Sequence, residues 1–229
     1  MKYEIIIFDA DETLFDFKKS EREAIKNTLL EFDVEYDETH HLKIYHDINT
    51  TIWKEFEEGL ITQKKLKTER FKRLCDKLNI KLDEMELAKA YIKHLGNGSF
   101  LFDDSVTLVE SLHKDYRLSI ITNGLTDVQD NRIRKSIIAK YFENIVVSEE
   151  VEVSKPDPKI FEHALNNIKH TDKNKVLIVG DSLTSDIQGG INFGIDTCWY
   201  NPSKIENKTE IKPTYEISSL LELKDILER

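Results

Sequence analysis

Two aspartates stand at the end of an apolar run. Tyr3 to Phe15 reads YEIIIFDADETLF, and Glu4 to Phe8 within it has the texture of a strand buried on both faces of a parallel sheet. The run stops abruptly at Asp9-Ala10-Asp11-Glu12-Thr13. A helix cap would account for one acid there. It does not account for Asp9 and Asp11 alternating beyond a buried strand. The carboxyl ends of strands are where open α/β sheets bind ligands. Three more polar tips follow: Thr122-Asn123-Gly124, Ser154-Lys155-Pro156-Asp157-Pro158, and Gly180-Asp181 with Asp186 a little further on. Each alone has a plain structural explanation: a turn capping a helix, a solvated lysine, an acid in a helix's first turn. Together they make a set of carboxylates, a hydroxyl and a lysine. On an acidic chain, an anionic substrate there would call for a cation to offset the repulsion.

The elements between these tips must bring them to one place. After Phe15 the spacing turns helical: Leu42, Tyr45, Ile48, Ile52 and Phe56 fall at steps of three or four, and Leu66, Phe71, Leu74, Cys75 and Leu78 form another stripe. Leu87, Ala88, Tyr91, Ile92 and Leu95 form a third. About four helices are expected over residues 17–98, with breaks near Gly59 to Thr62 and Asn79 to Asp83. From Phe100 strands and helices alternate. Strands are expected at Arg117 to Ile121, Asn144 to Ser148, Lys175 to Val179, Ile195 to Tyr200 and Thr214 to Ile217. Helices are expected at Val106 to His113, Asp127 to Ile138, from Pro158 with Asp157 as cap, up to Phe193 before Gly194, and at Ser218 to Leu227. That alternation predicts an α/β fold, a Rossmann-like parallel sheet with right-handed crossovers. Residues 1–16 and 99–229 would form this core, and residues 17–98 an inserted helical bundle. All C-terminal strand ends of such a sheet lie on one edge, so the four tips can converge.

At 229 residues, the chain is long enough for one large domain or a domain carrying a smaller one. With 39% hydrophobic and 33% charged residues it is globular and charge-rich at its surface. The start runs straight into a strand, so no signal peptide is expected, and no apolar run approaches a membrane span. Cys75 and Cys198 are far apart, without metal spacing, and read as core thiols of a reducing compartment. A cytoplasmic protein without membrane partners is expected. The net charge of −10 argues against a nucleic-acid polymer as partner. Residues 17–98 hold equal numbers of acidic and basic side chains, so the acidic excess lies outside the bundle.

The four tips, D-A-D-E-T at 9–13, T-N-G at 122–124, S-K-P-D-P at 154–158 and G-D-S-L-T-S-D at 180–186, resemble the motif set of the haloacid dehalogenase-like hydrolases, most of which are phosphatases. The inserted bundle is similar to the helical cap of one branch of that family. The resemblance implies a phosphomonoester hydrolase working through an aspartyl-phosphate. It implies Asp9 as nucleophile and Asp11 as general acid and base, its proton favoured by neighbouring carboxylates. It implies Lys155 as the positive charge beside the phosphoryl group, with the Thr122 hydroxyl and the N–H groups of Asn123 and Gly124 around the phosphate oxygens. Mg²⁺ is implied as cofactor, held by the carboxylates of Asp9 and Asp181 and the main-chain carbonyl of Asp11, with Asp186 in support directly or through water. Glu12 stands where the broad family has glycine. The variant D-A-D-E-T-L-F also resembles the branch of pyrimidine 5′-nucleotidases and house-cleaning nucleotide phosphatases, which implies a nucleoside monophosphate as substrate. Phe17, Tyr45 and Trp53 are candidates to stack on a base, with core packing the alternative for Tyr45 and Trp53. Phosphatases or mutases for sugar phosphates would share these motifs. A haloalkanoate dehalogenase does not need Asp11, and a non-catalytic binding protein with a relic pocket would have lost one of the motif residues.

Overall fold

The computed structural model describes residues 2–228. It comprises two compact units, one built from residues up to Phe17 and from Ser99 onward, the other from Lys18 to Gly98. The first unit carries a sheet of six parallel strands: β1 (Ile5–Phe8), β2 (Arg117–Thr122), β3 (Asn144–Val147), β4 (Val176–Gly180), β5 (Asp196–Tyr200) and β6 (Tyr215–Ile217), in the order β3-β2-β1-β4-β5-β6. The chain winds outward from β1 through β2 to β3, then returns to the other side of β1 for β4. Strand order therefore reverses between β1 and β4, where an open sheet forms a crevice at its carboxyl edge. Phe8 lies level with Ile120 of β2 and Val179 of β4, so the next residue of each neighbour reaches that edge together.

Both faces of the sheet are covered, as its apolar strands require. Alternation along β1 divides the core. Ile6 and Phe8 pack with Leu118, Ile120, Leu177 and Val179 on one face, under Leu108, Val109 and Leu112 of α5 (Asp103–Leu112) and Leu223 and Ile226 of α10 (Leu223–Leu227). Ile5 and Ile7 pack on the other with Ile121, Val146 and Ile178, under Ile160, Phe161 and Ala164 of α8 (Pro158–Asn167). Asp157 caps α8 by accepting from Lys159 N–H, with Pro158 at its first position.

The helix expected over Asp127 to Ile138 is shorter: α6 runs Thr126–Arg132 and turns follow. Its tail lacks a helical stripe, because Ile133 and Ile138 are buried five positions apart while Ile137 is 67% exposed. The helix expected up to Phe193 begins as a π-helical turn over Leu183–Ile187 and continues as α9 (Gln188–Phe193), stopped by Gly194 at φ 84°. The helix expected over Ser218 to Leu227 opens with a 3₁₀ turn at Leu220–Glu222 before α10. Between β3 and α8 lies α7 (Ser148–Val151).

The second unit holds α1, which begins in the first unit and spans Phe17–Glu31, then α2 (Lys43–Glu57), α3 (Gln63–Leu78) and α4 (Glu84–Gly96). Thr62 caps α3, Asn79 in the left-handed region closes it, and Asp83 caps α4. Tyr45, Phe71 and Tyr91 are fully buried and pack ring against ring, so Tyr45 belongs to this core and is not a stacking platform. Trp53 is half-buried, edge-on to Phe56. A polar chain crosses the same interior. Arg70, 2% exposed, donates to Asn49 Oδ1 at 3.2 Å, and Asn49 Nδ2 donates to Glu21 at 2.7 Å. Glu21 also meets His46 Nδ1 at 3.0 Å. Among the described residues, no helix is long and apolar enough to cross a membrane.

Candidate active site at the carboxyl edge of the sheet

Asp9 leaves β1 with its N–H still donating to Val179 of β4, which fixes its backbone at the crevice. The carboxylate is bracketed: Oδ1 meets Lys155 Nζ at 2.6 Å, and Oδ2 accepts from Thr13 Oγ1 at 3.2 Å. The chain then turns sharply. Leu14 and Phe15 both donate to Ala10 O, and Glu12 takes φ 61°. The left-handed turn that favours glycine is thus kept with a glutamate in place, at a conformational cost of about 1–2 kcal/mol.

Lys155 is 1% exposed; its ammonium donates to Asp9 and to Ile121 O of β2 at 2.8 Å, and forms an ion pair with Asp186 Oδ1 at 2.7 Å. Burial alone would lower its pKa, but the carboxylates of Asp186 and Asp9 outweigh burial and hold it above the ordinary lysine value. Asn123 sets the loop that delivers this side chain. Its Nδ2 donates to Lys155 O at 2.9 Å and its Oδ1 accepts from Lys155 N–H at 2.8 Å. So Asn123 is placed as expected at the edge, with a side-chain role that the motif reading had not assigned. The Lys155–Pro156 peptide bond is cis.

From β4, Asp181 is held by its main-chain carbonyl, which accepts from Trp199 Nε1 at 2.8 Å. Asp186, 1% exposed, folds back so that Oδ2 accepts from Ser182 N–H at 3.0 Å. That return needs a bare Gly180, because a Cβ there would come within 2.3 Å of Asp186 Oδ2. Carboxylate oxygens of Asp9, Asp181 and Asp186 all lie within 4.8 Å of one another. Burial, then the charges of Asp9 and Asp186, push the Asp181 carboxyl up to about 9. Burial also raises Asp9, against the pull of Lys155. Three carboxylates this close, with Lys155 shared by two of them, leave negative charge uncompensated. Hard oxygens in that arrangement fit a small divalent cation such as Mg²⁺.

Asp11, at the same edge, meets a cation and an amide. Oδ1 meets Arg132 NH1 at 2.7 Å, and Oδ2 accepts from Gln129 Nε2 at 3.1 Å. The same Nε2 donates to Thr122 Oγ1 at 3.1 Å. The sequence reading missed Gln129 and Arg132. Their signal was a polar pair one helical turn apart, directly after Thr122-Asn123-Gly124. Gly124 makes room for Gln129, whose Nε2 would lie 2.5 Å from a Cβ at that position.

Residues 6–200 match the family described as haloacid dehalogenase-like hydrolase. Over 100% of this chain and 97% of the relative, the sequence is 37% identical to the pyrimidine 5′-nucleotidase PynA of Streptococcus pneumoniae. It is 35% identical to the pyrimidine 5′-nucleotidase YjjG of Escherichia coli, over 99% of both chains. The putative HAD-hydrolase YfnB of Bacillus subtilis, solved bound to magnesium, superposes with a TM-score of 0.93 at 34% identity, over 100% of both chains.

Proposed function

On a chain that belongs to the haloacid dehalogenase-like hydrolases, we propose a Mg²⁺-dependent phosphomonoester hydrolase that works through an aspartyl-phosphate on Asp9 and acts on nucleoside 5′-monophosphates, pyrimidine ones foremost. The observation that carries the reading is the meeting of Asp9, Lys155, Asp181 and Asp186 at the one edge where strand order reverses, with Asp11 and Thr122 joined beside them. The substrate class follows the two pyrimidine 5′-nucleotidases that match the chain along its length.

An Asp9 carboxylate oxygen attacks phosphorus, and the bond from phosphorus to the ester oxygen breaks. Asp11 gives its proton to the leaving alkoxide. Water then attacks phosphorus of the aspartyl-phosphate, losing a proton to Asp11, and the bond to Asp9 breaks to free phosphate. Thr13 and Lys155 hold the two oxygens of Asp9 in place, and Thr122 is the hydroxyl for a phosphate oxygen. Mg²⁺, held by the carboxylates of Asp9, Asp181 and Asp186 and the main-chain carbonyl of Asp11, would neutralise charge on the phosphoryl oxygens. Lys155 adds a positive charge already fixed by two carboxylates, so it needs little reorganisation. Tyr45, buried in the core of the helical unit, is set aside as a stacking residue.

A phosphate-release screen tests this. Ribo- and deoxyribonucleoside monophosphates are compared with hexose and glycolate phosphates, with and without Mg²⁺. The reading expects Mg²⁺-dependent release, fastest from pyrimidine nucleotides. Turnover confined to hexose or glycolate phosphates would reassign the substrate, and no turnover of any phosphomonoester would remove the hydrolase assignment.

A further inference from the structure

Resting on Asp11 as the acid and base, we propose that Arg132 and Gln129 are positioning residues that lock Asp11 and Thr122 into one rigid frame. The frame joins the carboxylate that moves the proton to the hydroxyl that holds the phosphate. Arg132 is fully buried and Gln129 is 2% exposed, while the Asp11 side chain remains 24% exposed. Gln129 spends its amide completely. One Nε2 proton goes to Asp11 Oδ2 and the other to Thr122 Oγ1, each at 3.1 Å, while Oε1 accepts from Arg132 NH1 at 3.2 Å. Arg132 NH1 also forms an ion pair with Asp11 Oδ1 at 2.7 Å. Asp11 Oδ2 takes the hydrogen bond and Oδ1 the ion pair, so the carboxylate is held at both ends.

The guanidinium is itself fixed. Its carbon lies 5.7 Å from the centre of the Phe15 ring and 5.3 Å from that of Phe17. Aromatic packing suits the flat faces of an arginine and leaves in-plane N–H groups for oxygen acceptors. A lysine would keep the charge and lose the planar fork. Desolvating an arginine is costly, and pairing it with one part-exposed carboxylate is a weak route to stability. Fixing a proton donor is where such rigidity acts, because a misplacement of about 1 Å can cost about 10²-fold in rate.

The test compares wild type, Arg132→Lys, Arg132→Met and Gln129→Leu, each alone and combined with Asp11→Asn. Substrates are a nucleoside monophosphate, with an alkyl leaving group, and p-nitrophenyl phosphate, whose leaving group needs little protonation. Arg132→Lys and Arg132→Met should lower kcat for the nucleotide by roughly 10²-fold, and less for the aryl ester, with KM nearly unchanged. Combined with Asp11→Asn, the Arg132 substitutions should add little. Should Arg132→Met fail to fold, Arg132→Lys and Gln129→Leu carry the same comparison. Equal losses on both substrates, or losses that add fully to Asp11→Asn, overturn the frame while leaving the hydrolase reading intact. An Asp11→Asn variant as active as wild type on the nucleotide overturns both.

Discussion

Two burials of charge in this molecule are resolved differently. In the helical unit, Arg70, Asn49, Glu21 and His46 form a chain in which Asn49 stands between the acid and the base. At the sheet edge, three carboxylates crowd together and Lys155 binds only two of them, leaving Asp181 with no ion-pair partner among the described residues. The first arrangement links one Arg70 nitrogen through Asn49 to Glu21 and so ties helices together, while among the described residues Arg70 Nε and NH2 stay without a hydrogen bond beside the Phe71 and Tyr91 rings. The second leaves Asp181 unpaired, and the proposed Mg²⁺ would answer it. The helical cluster places its acid and base one amide apart, whereas the edge gathers like charges on one spot.

The largest separation should come from Asp9→Asn. At the edge it removes the proposed nucleophile, so kcat should fall by at least about 10³-fold while the thermal midpoint holds or rises. Asn49→Leu reverses that pattern in the helical unit. It strips one hydrogen bond each from buried Glu21 and Arg70, and urea unfolding should show a loss of about 2–4 kcal/mol.

Metal and pH sharpen the contrast further. The Asp181 carboxyl is raised far above its ordinary value, so between about pH 4 and 9 the native state holds a proton that the unfolded chain releases. Metal-free protein should therefore lose stability as pH rises through that range. Mg²⁺ should raise the melting temperature, by more at pH 8 than at pH 5, and Asp181→Asn should flatten both trends. A melting temperature that climbs with pH in the metal-free protein would contradict this electrostatic picture. The smallest effect is expected at Glu12. Glycine there relieves the left-handed strain but frees the unfolded chain, so Glu12→Gly should fall within about 1 kcal/mol of wild type, on the stabilising side.

The sheet was legible because its strands are short apolar runs with polar tips, and β1 pairs where its pattern required. The edge residues were legible for the same reason: Asp9, Thr122 and Asp181 sit at or one position beyond strand ends, where neither core nor turn explains them. Helix breaks in the bundle were marked by Thr62, Asn79 and Asp83. The Arg132–Asp11 pair was not legible, because it joins positions far apart in sequence through a helix whose end was misjudged. Tyr45 and Trp53 carried the same aromatic signal, and only packing separated them.

The central claim is that phosphate passes through Asp9. It is met most directly by acid-quenching the protein during turnover of a ³²P-labelled nucleoside monophosphate and mapping the label by peptide. An acyl-phosphate on the peptide that contains Asp9, absent from Asp9→Asn, is the predicted result. Phosphate release that proceeds with no label on protein, or with label on a different residue, would contradict it.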